Sequence, residues 1–137
     1  VAGVRIICSF TSDIYQIAEM IAAQGDVTVI HVKDYIKNPK PNGYKSYHMV
    51  VTVPVYLTDG PVETKVEIQI RSVAMDFWAS LEHKIAYKFE GNAPEGLLHE
   101  LKDCADVVDM LDKKMFSLNE AITAYAKEHP ETDPNRE

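Results

Sequence analysis

The spacing of apolar residues changes several times along this chain, and each change marks an element. Val1 to Phe10 is mostly apolar and reads as a buried strand, interrupted by Arg5. Ile14, Ile17, Ala18 and Ile21 then recur at helical spacing, with Thr11 or Ser12 as the cap and Gly25 as the stop. The β-branched run DVTVIHV predicts a second buried strand, and after a loop HMVVTVPVYL predicts a third. Pro54 has no ladder donor, so it marks an edge or a bulge in that strand. The turn TDGP leads into KVEIQIRS, and the last two strands are expected to form a hairpin with a longer loop.

From Val73 to Phe89 the pattern becomes helical and aromatic, ending near Gly91, with Met75, Phe77 and Trp78 read as core. A long helix is predicted from Glu95 toward His129. Its apolar positions Leu101, Cys104, Val108, Leu111, Met115, Leu118, Ile122 and Tyr125 alternate in steps of three and four, a seven-residue repeat. Such a seam fits a helix docked on its own sheet. Its length on an acidic helix also fits self-association. The closing PETDPNRE reads as a flexible tail over residues 130–137. Strand, helix, strand, loop, hairpin, helix, long helix is the order of an α/β (α+β) domain with a mixed sheet and flanking helices.

The 137 residues are 46% hydrophobic and 26% charged, the balance of one ordinary globular domain. No apolar run approaches the roughly 20 residues of a membrane span, and the opening VAGVRIICSF reads as a strand rather than a signal peptide. Cys8 and Cys104 have no metal-type spacing and read as reduced, packed thiols of a cytoplasmic protein. The net charge of −7 is unevenly spread. Lys33, Lys37, Lys40 and Lys45 are opposed only by Asp34 between residues 33 and 48, an island of positive charge on an acidic chain. That favours a compact anion such as a nucleotide phosphate, and no nucleic acid, which needs a broader basic face.

The candidate chemistry lies on and beside that island. In the strand 65–71, Val66, Ile68 and Ile70 share one face while Lys65, Glu67, Gln69 and Arg71 share the other. A solvent-facing edge and a functional face both explain this. In a hairpin, His48, Val50 and Thr52 would join the polar face and bring the basic loop toward Glu67 and Gln69. Arg5 fits an ion pair at a sheet edge, or stacking and phosphate binding by its flat guanidinium. In the loop NPKPNGYKSYH, Pro39 and Pro41 stiffen the backbone and Gly43 lets it turn or lets a ligand approach. Lys40 and Lys45 suit phosphates, Tyr44 offers a flat face for a base, and Asn42 can donate and accept at a base or ribose edge. A Pro-Gly turn with solvated lysines has the same composition. Glu82 and His83 point apart on a helix and form no metal box. The phosphate loop GxxxxGK[ST], GxGxxG and a nucleophile elbow are all absent from the sequence.

Taken together, AGVRI, KDYIKNPKPNGYKSYH, VEIQIRS and AMDFWASLEHKIAYK resemble the synthetase domain of the RelA/SpoT family, over roughly the first two thirds of the chain. The resemblance is to the stand-alone small alarmone synthetases, or GTP pyrophosphokinases. It implies a nucleotidyltransferase-like fold, with residues 1–91 as the nucleotide-binding core and 92–129 as a C-terminal helical segment for oligomerisation. It also implies transfer of the β,γ-pyrophosphate of ATP to the ribose 3′-hydroxyl of GDP or GTP, with Mg²⁺, making ppGpp or pppGpp. Tyr44 would then stack on guanine, Lys40 and His48 would serve the acceptor phosphates with Lys33 beside them, and Asn42 would help hold the nucleotide. Glu67 would bind Mg²⁺ and activate the 3′-hydroxyl, Gln69 would lie beside it, Ala79 would line the guanine pocket, and Arg5 would stack on adenine. The family's homotetramers, built with C-terminal helices, accord with the seven-residue seam. A second Mg²⁺ aspartate just before the position of Val1 and an upstream basic ATP segment belong to the family pattern but not to this chain. The expectation is therefore that this stretch holds the guanine-nucleotide half of the site and is inactive alone, within an active parent protein. The alternative is a guanine-nucleotide-binding module without transferase activity.

Overall fold

A computed structural model of the chain describes residues 2–130. Val1 and residues 131–137 of the expected tail lie outside the described residues. The element order is β1 (Ala2–Cys8), α1 (Thr11–Ala22), β2 (Thr28–Asp34), β3 (Tyr47–Leu57), β4 (Gly60–Ser72), α2 (Val73–Lys88) and α3 (Glu95–Glu128). The strands form one mixed sheet in the order β1-β4-β3-β2, with β1 parallel to β4 and the other neighbours antiparallel.

Alternation along β3 and β4 decides which face is buried. Met49, Val51, Ile68 and Ile70 project to one side, where α1 lays Ile14 and Ala18 over them and Met75 closes the cluster. A second cluster joins Trp78 and Ala79 of α2 to Leu101 and Ala105 of α3, with Tyr44 and Val108 packed against it. The Trp78 indole N–H donates to the Leu101 carbonyl at 2.8 Å, so burying the ring strands no polar atom. Ser72 caps α2 by accepting the Met75 N–H at 3.2 Å.

Several expectations change. The two segments read as buried strands, β1 and β2, are the edges of the sheet and largely exposed. An apolar β-branched run looks the same at an edge as in a centre. β3 is an interior strand as far as Thr52, which pairs with Thr28 at the start of β2, and Pro54 falls beyond it with only β4 alongside. The register irregularity is in β2, between Val29 and His31, and not at Pro54. The hairpin loop is tight: Leu57 pairs with Gly60, leaving Thr58 and Asp59 as the turn, and Gly60 adopts φ +117°. α1 begins one residue earlier than expected. Phe10 is its cap residue, its N–H donating to Asp13 Oδ2 at 3.1 Å, and Ala23 rather than Gly25 ends the helix.

Phe77 is not core; it is 74% exposed, while Met75 and Trp78 are buried. Cys104 is exposed rather than packed. Cys8 is partly buried, and that burial, ahead of the nearby Asp13 and Asp112, pushes its thiol up to about 11. The α3 seam divides. Leu101 and Val108 pack inward along with Ala105, and Asp112 is buried there too. Leu111, Met115, Leu118, Ile122 and Tyr125 remain exposed.

Candidate functional site

Strand register assembles the candidate residues into two rows on the face opposite α1. Arg5 of β1 aligns with Gln69 of β4, Gln69 with His48 of β3, and His48 with Lys33 of β2. One step along, Gly3 aligns with Glu67, Glu67 with Val50, and Val50 with His31. The polar face expected from the hairpin therefore exists, and His48 stands directly across from Gln69. His31 joins it unforeseen.

Arg71, which sequence reasoning placed on this face without a role, is its organising group. It is 6% exposed and reaches four acceptors. Its Nη2 donates to the Tyr44 hydroxyl at 2.7 Å and to Gln69 Oε1 at 3.0 Å, its Nη1 to Asp76 Oδ1 at 3.2 Å, and its Nε to Ser46 Oγ at 3.4 Å. These contacts tie β4 to the loop and to α2, and they satisfy a guanidinium that burial would otherwise destabilise. Asp76 Oδ1 also lies 3.7 Å from Arg5 Nη1, so one carboxylate serves both arginines. Of the two readings of Arg5, the edge ion pair is thus present, with its guanidinium still more than half exposed.

Tyr44 and His48 form the next link, with the hydroxyl and Nε2 3.0 Å apart. The phenol oxygen accepts from Arg71, and a neutral imidazole with its proton on Nδ1 would take the phenol hydrogen at Nε2. Burial, then the charges of Arg71, Lys40 and Lys33, hold His48 below its ordinary value against the opposing pull of Glu67. Tyr35 adds a T-shaped contact to the His48 ring at 5.1 Å.

The loop is built, not merely flexible. Asn42 Oδ1 accepts the Tyr44 N–H at 3.0 Å, so its carbonyl shapes the turn and its amide donors remain for a ligand. Lys40 lies over the rings of Tyr35 and Tyr44, at 5.0 and 5.2 Å from their centroids. Gly43, at φ +98°, turns the chain where α3 approaches: a Cβ there would stand 2.7 Å from Ala105 Cβ. Lys45 departs from expectation. Its ammonium is 2.9 Å from Asp109 of α3 and is not presented as a mobile phosphate ligand.

Two adjoining hollows share Arg5. One of about 380 Å³ is lined by Arg5, Tyr44, Arg71, Ala79, Glu82 and His83, among others. The other, of about 230 Å³, is lined by Gly3, Val4, Arg5, Glu67 and Gln69. Ala79 and Tyr44 therefore meet at one cleft and Glu67 and Gln69 at its neighbour, with Lys33 at the far end of the row and Lys40 and Asn42 along the loop. Adjacent helical residues diverge, yet Glu82 and His83 both reach the cleft rim. Among the described residues no three His, Cys, Asp or Glu side chains gather into a metal cage. Mg²⁺ needs less than a cage, since it keeps several waters and uses one or two carboxylates plus phosphates. The exposed Glu67 carboxylate beside the smaller hollow fits that limited part.

A family described as a region found in RelA / SpoT proteins matches residues 1–92. The chain is 50% identical over 122 residues to the GTP pyrophosphokinase YwaC of Bacillus subtilis, covering 89% of this chain and 58% of that protein. The small alarmone synthetase 2 structure from Bacillus subtilis superposes with a TM-score of 0.84 at 50% identity, over 87% of this chain and 65% of that one. The small alarmone synthetase 1 structure from Bacillus subtilis, bound to its product pppGpp, superposes with a TM-score of 0.83 at 40% identity, over 87% and 61% of the two chains. The chain thus spans less than two thirds of the length of each of these relatives.

Proposed function

Since this chain belongs to the RelA/SpoT family, we propose that it carries the acceptor-nucleotide side of a GTP pyrophosphokinase. The observation behind this reading is the row Arg5–Gln69–His48–Lys33, with Glu67 one step along and Tyr44 bonded to His48. In it a base-stacking ring, phosphate-binding cations and an exposed carboxylate share one rigid face.

The reaction is transfer of a pyrophosphoryl group. The ribose 3′-oxygen of GDP or GTP bonds to the β-phosphorus of ATP, the bond from that phosphorus to the α,β-bridging oxygen breaks, and AMP departs. Glu67 accepts the proton that the 3′-hydroxyl gives up. Positioning and charge neutralisation supply most of such catalysis. Guanine stacks on Tyr44 in exchange for Lys40, which then turns to the acceptor phosphates with His48. Lys33 extends that positive field. Asn42 and Gln69 offer amide donors, Ala79 gives the base a flat wall, and Arg5 stacks on the adenine of ATP. Mg²⁺, held by Glu67 and the substrate phosphates, would supply charge neutralisation at the transferred group.

Substrates of this kind place the protein in the cytoplasm, and among the described residues no helix is long and apolar enough to cross a membrane. The exposed stripe Leu111, Met115, Leu118, Ile122 and Tyr125 supports a homo-oligomer, read as a tetramer, joined through α3. In the protein at its full natural length, incubation with ATP, GDP and Mg²⁺ should yield ppGpp and AMP, and Glu67→Gln should abolish both while leaving GDP binding. Binding of GDP without product, in the protein at its full natural length, would leave the binding-module reading instead. Tyr44→Ala should weaken GDP binding by roughly 1–3 kcal/mol, the worth of one stacked base.

A further inference from the structure

We propose that α3 is a positioning element for the acceptor loop, gripping it on either side of Tyr44 through Gly43 and Lys45. The inference rests on the guanine-nucleotide reading of that loop.

The anchors lie one helical turn apart along a single face of α3. Leu101 offers its carbonyl to the Trp78 indole at 2.8 Å. Ala105, buried, is the surface onto which Gly43 packs so closely that no side chain fits between them. Asp109 Oδ1 meets Lys45 Nζ at 2.9 Å, and Asp112 Oδ2 accepts from Ser72 at 2.8 Å and Thr11 at 3.3 Å. The helix is thus tied to α2 above the loop and to the start of α1 and α2 below it. The loop hangs from the two middle anchors, and Tyr44 is the residue between them.

The Lys45–Asp109 pair is built for holding. Its side chains are only 19% and 29% exposed, so solvent screens it less than a surface pair. Lys113 fixes the other carboxylate oxygen at 2.9 Å. Burial pushes the Asp109 carboxyl up, but the bonds and charges of Lys45 and Lys113 outweigh it and hold the group below the usual range. Tyr44 in turn sets the Arg71 and His48 bonds, so a shift of α3 would pass into the acceptor site.

Asp109→Asn separates this from simple electrostatics by sign. If Lys45 were a phosphate ligand restrained by Asp109, removing the carboxylate would tighten GDP binding. If Asp109 positions the loop, binding weakens, by roughly threefold or more, while affinity for a non-hydrolysable ATP analogue stays unchanged. Calorimetry with GDP and with the analogue reads both. In the protein at its full natural length, the steady-state KM for GDP should rise more than kcat falls. Asp109→Glu should restore part of the loss. Amide exchange in residues 40–46 should quicken in Asp109→Asn with the β3–β4 core unaltered. GDP affinity equal to or above wild type in Asp109→Asn would overturn the proposal. Wild-type protein that binds no GDP would instead refute the functional reading, and unchanged loop exchange would then refute the anchor on its own.

Discussion

The Ser72 hydroxyl donates to Oδ2 of Asp112 across 2.8 Å while accepting the Met75 N–H. One hydroxyl thus caps α2 and tethers α3, and the Asp112 carboxylate it meets is 6% exposed. Asp112→Ala removes the acceptor of both Ser72 and Thr11 and should cost about 1–3 kcal/mol. Urea unfolding should show a lower midpoint at unchanged slope. A midpoint equal to wild type would mean that water replaces the carboxylate.

Gly43→Ala should destabilise the loop twice over. The new methyl would sit 2.7 Å from Ala105 Cβ, and φ +98° strains any L side chain. Together these should cost about 1–3 kcal/mol. Adding Ala105→Gly relieves the collision but not the strain, so a double-mutant cycle should recover only part of the loss.

His48 should titrate below its ordinary value of 6.5, followed by NMR of the ring carbon proton. As pH falls through 6.5 the unfolded chain takes up a proton that the folded chain refuses, so stability declines with acid until the folded group itself protonates. Protonation would also end acceptance from Tyr44 at Nε2. Arg71→Gln, which removes the largest of the neighbouring charges acting on it, should move the titration upward. Lys40→Met should move it the same way by less. A histidine that titrates at or above 6.5 in the wild type would contradict this account of its burial and neighbouring charges.

Leu111→Glu should lower the sedimenting mass if α3 carries the oligomer contact, since Leu111 is half exposed and lies within the unpartnered stripe. Catalytic-site folding should be intact, because Leu111 lies outside the inward-facing set of Leu101, Ala105 and Asp112. An unchanged mass would exclude the stripe as the interface.

What could be read from sequence was governed by short period. The alternation in VEIQIR separates core from polar face without any partner, and His48 follows from antiparallel pairing. Arg71 shows the limit. A basic residue on a polar face reads as solvated, and only the loop closing over it, with Tyr44 and Ser46, turns it into a buried hub. Lys40 and Lys45 are equivalent in composition, and which one is taken by α3 depends on a contact 64 residues away in the chain. The α3 seam was half legible for a related reason. The stripe that docks includes the small Ala105 and the charged Asp112, both invisible to a count of large apolar residues. Edge and central strands were not separable, because strand order is set by non-local pairing.

The cross-strand rows also decide where this chain can change length. The site residues on the strands, Arg5, Lys33, His48, Glu67 and Gln69, reach their face through ladder pairing, so one inserted residue within β4 or β3 beside Glu67 would turn alternate side chains toward α1. The Thr58–Asp59 tip stands past the end of β2 and shares neither row, so extra residues there would leave the pairing in phase. A peptide tag or fluorescent label spliced into that tip has a position that the chemistry does not depend on.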